Sequence, residues 1–120
     1  MSSVIANLLP IFRQDFLEVE DSTAAALTLR RGRARIVFDR LSRVVTRNGK
    51  LLSAFGSIQH VRITSEPSGH GQQVWALSLG LSGSRAIPIG RMSDGNSAST
   101  VAGKIGAITG ARLVANAIPS

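Results

Sequence analysis

The chain has 120 residues, 43% of them apolar and 18% charged, with no cysteine and a formal net charge of +7. That length is one domain able to bury roughly two-thirds of the surface its unfolded form exposes; the composition is too apolar for a disordered chain, and without cysteine there is no disulfide scaffold and no Cys-ligated metal site. The longest apolar stretch, Val4 to Phe12, is interrupted by Asn7 and Pro10; it falls short of the ~20 residues of a membrane span and lacks signal-peptide flanks, so a soluble, cytoplasmic domain is the expectation.

Residues 1–25 read as an N-terminal arm. Val4, Ile5, Leu8, Leu9 and Phe12 fall at helical spacing, but Pro10 stops a long helix there. An extended Phe16-Leu-Glu-Val-Glu20 follows. The segment is acidic, with Arg13 set against Asp15, Glu18, Glu20 and Asp21. Leaving Leu8, Leu9 and Phe12 in water brings a lone domain nothing, so Ile5, Leu8, Leu9 and Phe12 are the expected contacts of a homo-oligomer, with the arm lying on the domain edge or on a neighbouring subunit.

From Ala26 to Gly90 the apolar period is two. Leu27 and Leu29 alternate with Thr28 and Arg30, and Gly32 offers a turn. Ala34, Ile36 and Phe38 alternate with Arg33, Arg35 and Val37, placing the two arginines opposite the apolar set. Asp39 to Ser42 reads as a turn, after which Arg43, Val45 and Arg47 share one face. Asn48-Gly49 is the strongest hairpin signal, because both residues tolerate the positive φ of a type I′ turn. Lys50 to Phe55 and Ile58 to Thr64 continue the meander, and Glu66 to Gln73 is a loop by composition. Trp75, Leu77, Leu79 and Leu81 then oppose Ala76, Ser78 and Gly80. In the last run Ile87 and Ile89 flank Pro88, which argues for an edge or a bulge. About seven short strands result.

Near the end the period changes. Ala98, Val101, Ala102, Ile105 and Ile108 form one stripe of an amphipathic helix. Ser93, Asp94 and Asn96 are candidate N-caps, and Gly110 fits the left-handed residue after a helix. Gly103 and Gly106 cost it about 1 kcal/mol each. Residues 115–120 read as a tail along the domain edge.

The runs Arg35-Ile-Val-Phe-Asp-Arg-Leu-Ser-Arg-Val-Val, Phe55-Gly-Ser-Ile-Gln-His-Val, Val74-Trp-Ala-Leu-Ser-Leu and Ala98 through Gly110 follow one another in a way that resembles the bacterial pleckstrin-homology-like (PH-like) domains. The likeness covers about residues 27–114 and marks strand ends and core positions. It implies a mainly β (α+β) fold: a curved antiparallel sheet or partly open barrel of about seven strands, capped by one C-terminal amphipathic helix. The domain would span 26–114. Many relatives carry transmembrane helices, which this sequence lacks, so tethering does not transfer with the likeness.

Catalytic signatures are missing. Gly69-His-Gly71 lacks the third glycine of a dinucleotide fingerprint, since Val74 stands there. Gly80-Leu-Ser-Gly83 is followed by Ser84 where a nucleophile elbow needs glycine. An enzyme of unknown type would require Asp39, His60 or Glu66 to converge in a pocket. The expectation is a non-enzymatic binding or assembly module with no cofactor and no metal, engaging a protein partner or its own subunits.

Residues 22–50 hold eight cations against Asp39, so the basic character is local. Arg31, Arg33, Arg35, Arg43 and Arg47 are the candidate anion- or partner-binding set, since arginine suits bidentate contact with carboxylate or phosphate. The alternative reading is peripheral binding of anionic lipid or nucleic acid through this strand face. Nucleic acid is the less favoured of the two, because aromatics are only 4% of the chain and offer no stacking platform. The plainer reading is a solvated arginine face met by the acidic arm.

Overall fold

The computed structural model describes residues 16–67 and 71–116. In chain order these form β1 (Leu17–Ser22), β2 (Ala26–Arg31), β3 (Ala34–Asp39), β4 (Val44–Arg47), β5 (Lys50–Ala54), β6 (Ile58–Pro67), β7 (Gln73–Leu81), β8 (Ala86–Met92), helix α1 (Gly95–Thr109) and β9 (Arg112–Asn116). One sheet has the order β1-β2-β3-β4-β5 and the other β8-β7-β6-β9. The protein is thus mainly β with one C-terminal helix, as the periodicity predicts, but the sheets are not closed into a barrel.

The seven expected strands correspond to β2–β8, and the two further ones come from the ends. β1 lies within the segment read as an arm and matches its extended stretch Phe16–Glu20, although it buries only Leu17. β9 lies parallel to β6, with His60 opposite Arg112 and Thr64 opposite Asn116, where an antiparallel sheet was expected. The remainder of the arm, including Ile5, Leu8, Leu9 and Phe12, lies outside the described residues, as do His70 and residues 117–120.

The alternating apolar residues converge on one core. Leu27, Leu29, Ile36, Phe38 and Val45 come from the five-stranded sheet; Val61, Ile63, Leu77, Leu79 and Ile89 come from the other. Helix α1 adds Ala98, Val101, Ala102 and Ile105, with Ile108 packed at the margin. Small residues on that stripe let the helix approach closely, and at its start the Trp75 ring rests against Gly95, where a Cβ would lie 3.1 Å from it. Of the three candidate caps Asp94 is used: its carboxylate accepts from the Ser97 amide at 2.9 Å and the Ser97 hydroxyl at 2.8 Å. Gly110 ends the helix at φ 78°, its amide donating to the Gly106 carbonyl at 2.8 Å.

The turns follow their chemistry. Asn48 and Gly49 take φ 51° and 82°, the left-handed pair that a type I′ hairpin requires. Pro88 sits on the edge strand β8, where the pairing with β7 shifts register between Leu77 and Ser78, satisfying both conditions for a proline in a sheet. Phe55, buried in a short 3-10 turn over Phe55–Ser57, fixes the corner where the chain passes between sheets.

Candidate functional site

A two-residue turn, Gly32-Arg33, sets the register of β2 on β3, so that Arg30 lies directly opposite Arg35. On the other side of β2, Glu18 lies opposite Arg30. A single row thus crosses the outer face of the sheet, running from a carboxylate to two guanidiniums. Two like charges directly opposite each other repel, and β1 relieves that. A bulge between Val19 and Asp21 makes Glu20 the extra residue of the strand. Its carboxylate grips Arg35 with both oxygens, Nε to Oε2 at 2.8 Å and a terminal nitrogen to Oε1 at 3.1 Å. Glu18 holds Arg30 at 2.9 Å.

These pairs lie in water. The Arg30 and Arg35 side chains are 50% and 59% exposed, so solvent and salt screen each contact and it holds the side chains only weakly. The hydrogen bond from Arg30 to Glu18, and then the Glu18 charge, raise the arginine pKa above its ordinary value. Arg33 protrudes from the turn and forms no ion pair among the described residues. With Arg30, Arg35, Val37, Asn48 and Gly49 it lines an open groove of about 470 Å³. Asn48 builds one wall: its side chain accepts from the Arg35 amide and its own amide donates to the Arg35 carbonyl, both at 2.9 Å.

The next row on the same face is Asp21, Thr28, Val37, Thr46 and Leu51. Thr28, Val37 and Thr46 are half-buried, and Leu51, on the edge strand β5, is 67% exposed. β5 ends the sheet, so the backbone groups along its free side face outward. An arginine groove, a row that carries Val37 and Leu51 among threonines, and an edge unpaired among the described residues therefore adjoin on one surface.

The remaining candidate arginines are elsewhere. Arg47 lies opposite Ile36, a buried residue, and so belongs to the inward-facing set, emerging only at its strand end. Arg43 sits in the turn at the other end of β3, at φ 59°. Arg31 lies opposite Leu17 and reaches the seam between the sheets, where its Cδ would be 3.2 Å from a Cβ at position 90. There it lines a groove of about 330 Å³ with Glu66 and Arg91. The structure brings together Arg33 and Arg35 of the expected set and adds Arg30. The sequence signal for Arg30 was the hairpin turn, because centring it on Gly32-Arg33 fixes the pairing of residues 30 and 35.

The groups considered for acid–base work have other occupations. The Asp39 carboxylate accepts from the Leu41 amide at 2.9 Å. Glu66 pairs with Arg91 at 3.1 Å. The His60 ring covers Gly80, where a methyl group would overlap it. No cluster of three or more His, Asp or Glu able to hold a metal ion occurs among the described residues. Among them, too, no helix is long and apolar enough to cross a membrane. Comparisons of the chain with protein-family models, with curated proteins and with solved structures return no match.

Proposed function

We propose that this chain is a non-enzymatic assembly module of PH-like architecture that joins a second copy of itself along the β5 edge of its five-stranded sheet. The PH-like reading is supported by the strand meander followed by a helix that contributes to the core between both sheets. The absence of catalysis is supported by the structural employment of Asp39, His60 and Glu66 described above. The observation that carries the assembly surface is Leu51, 67% exposed on the terminal strand and in line with Thr46, Val37 and Thr28. Adding a strand there pairs the backbone groups of β5 that have no partner among the described residues and packs its side chains beside Leu51. A two-fold axis beside β5 would set two such edges antiparallel, the isologous arrangement of most homodimers.

Light scattering across a concentration series tests this. The wild-type protein should show a mass above that of one chain, and Leu51→Glu should shift the midpoint of association at least about tenfold upward, since it replaces apolar burial with a desolvated charge. A single-chain mass at every concentration, or an unaltered midpoint in Leu51→Glu, contradicts the reading.

A further inference from the structure

The register of the four-stranded sheet lays out its outer face row by row. Arg112 of β9 lies beside His60 of β6, and His60 lies beside Gly80 of β7. The next row is Val114, Arg62, Ser78 and Pro88, and a third holds Thr64, Ala76 and Arg91. The residues that alternate with them, among them Val61, Ile63, Leu77 and Leu79, are buried in the core, so these rows point away from it.

This face is basic and low in relief. Glu66 is the one acid in the four strands, and Arg91 holds it at 3.1 Å. Arg62 and Arg112 are exposed and form no ion pair among the described residues; neither does Arg31, which reaches the seam from β2. Down the middle, β7 turns only Ala76, Ser78 and Gly80 outward, a lane about 13 Å long. Ala76 and Ser78 also line the groove at Arg31 and Arg91, so that groove is the seam end of the lane. The other end holds a ring. The His60 imidazole occupies the space that a Cβ at Gly80 would need, overlapping it with Nε2 and Cε1. Glycine lets the ring lie across the neighbouring strand rather than stand off the sheet. His60 is half-buried there, with Arg112 beside it and Arg62 in the next row.

We infer that this face binds single-stranded nucleic acid, with a base stacked on His60 and phosphates held by Arg62, Arg112 and Arg31. The stacking group is a histidine, outside the 4% of Phe, Trp and Tyr. A lane of small side chains admits a planar base, and the planar fork of each guanidinium matches phosphate oxygens. Stacking on a side-chain ring needs a base whose face is free, which a single strand offers and a duplex does not. An acidic peptide would meet the same arginines but gain nothing from the ring. The face belongs to a different sheet from the Arg33 groove and from β5, so binding here is independent of assembly at that edge.

Fluorescence anisotropy of the full chain with a labelled oligothymidylate, over a series of salt concentrations, tests the assignment. Wild type should bind this single strand more tightly than the duplex it forms with its complement. The logarithm of affinity should fall with that of salt at about −0.7 per phosphate contacted, or about −2 for three arginines. Arg62→Gln with Arg112→Gln should weaken binding and flatten the slope by about 1.4. His60→Ala should lose at least about fivefold in affinity, whereas His60→Phe, which keeps a flat ring, should stay within about twofold of wild type. Arg33→Gln with Lys50→Gln, matched in charge on the other sheet, should lose much less than the Arg62/Arg112 pair. Unchanged thermal unfolding would show that all variants fold. The inference is overturned if wild type ignores the single strand or prefers the duplex, if His60→Ala binds like wild type, if His60→Phe loses as much as His60→Ala, or if the Arg33/Lys50 pair loses as much as the Arg62/Arg112 pair. Displacement of the strand by polyglutamate as readily as by unlabelled oligothymidylate would equally overturn it and mark the face as a site for an acidic protein.

Discussion

Single carboxylates show how this chain uses its few acids. Asp94 closes the start of α1 with two hydrogen bonds to Ser97. The bond from the Ser97 hydroxyl, followed by that from its amide, holds the carboxyl below its ordinary pKa. Because the folded-state value is depressed, the stabilisation is present above the usual carboxylate range and is lost as pH falls through the lowered value. Asp94→Ala should therefore lower Tm by several degrees at neutral pH, on the scale of about 4–8 °C per kcal/mol for a small domain. The difference from wild type should shrink at acid pH below that range, as thermal denaturation at the two pH values would show. An equal difference at both values would mean that the charged form of the cap contributes nothing. Glu18 and Glu20 instead act through charge on charge.

At the scale of the element, β1 is the strand whose place depends most on electrostatics. It buries one side chain, Leu17, and otherwise joins the sheet by backbone pairing and by its contacts to Arg30 and Arg35. Glu18→Gln with Glu20→Gln removes those contacts and leaves the two arginines facing each other. The double variant should be measurably less stable at low ionic strength and clearly less affected in molar salt, where the screening length falls to about 3 Å. Amide exchange resolved by residue should place the loss in β1. An effect that salt does not alter would assign β1's stability to its backbone pairing instead. Alternation made β2–β8 and α1 legible in the sequence because those elements bury one face. β1 was legible as an extended segment over Phe16–Glu20 but not as a member of the sheet, because its partners are charges whose complements lie twelve and fifteen residues away. β9 was hidden differently: its five residues are too few for periodicity to identify a parallel partner at β6.

At the scale of the molecule, the arginines that are near one another in the chain point to three regions. The sequence correctly places Arg35 opposite Ile36 and Phe38 and puts Arg47 on the same side as Val45, whereas Arg33, expected on the same face as Arg35, stands in the turn before β3. Joining these into one patch fails because Val45 lies opposite Phe38, and Arg47 opposite Ile36, so the Arg47 side is the inward one. Val45, an apolar residue between two arginines, carried that information. The groove, the seam at Arg31 and the turn at Arg43 thus divide a charge that is continuous only along the chain. What adjoins the groove is the β5 edge, and that adjacency depends on register, which no single strand's composition specifies.

Assembly at that edge is the claim on which the functional reading rests. Hydrogen exchange of the β5 amides, followed in dilute and concentrated samples, tests it where it is made. The outward amides of Lys50–Ala54 should exchange more slowly as concentration rises, while the edge strand β8 is unaffected. Equal exchange in β5 at both concentrations would contradict it.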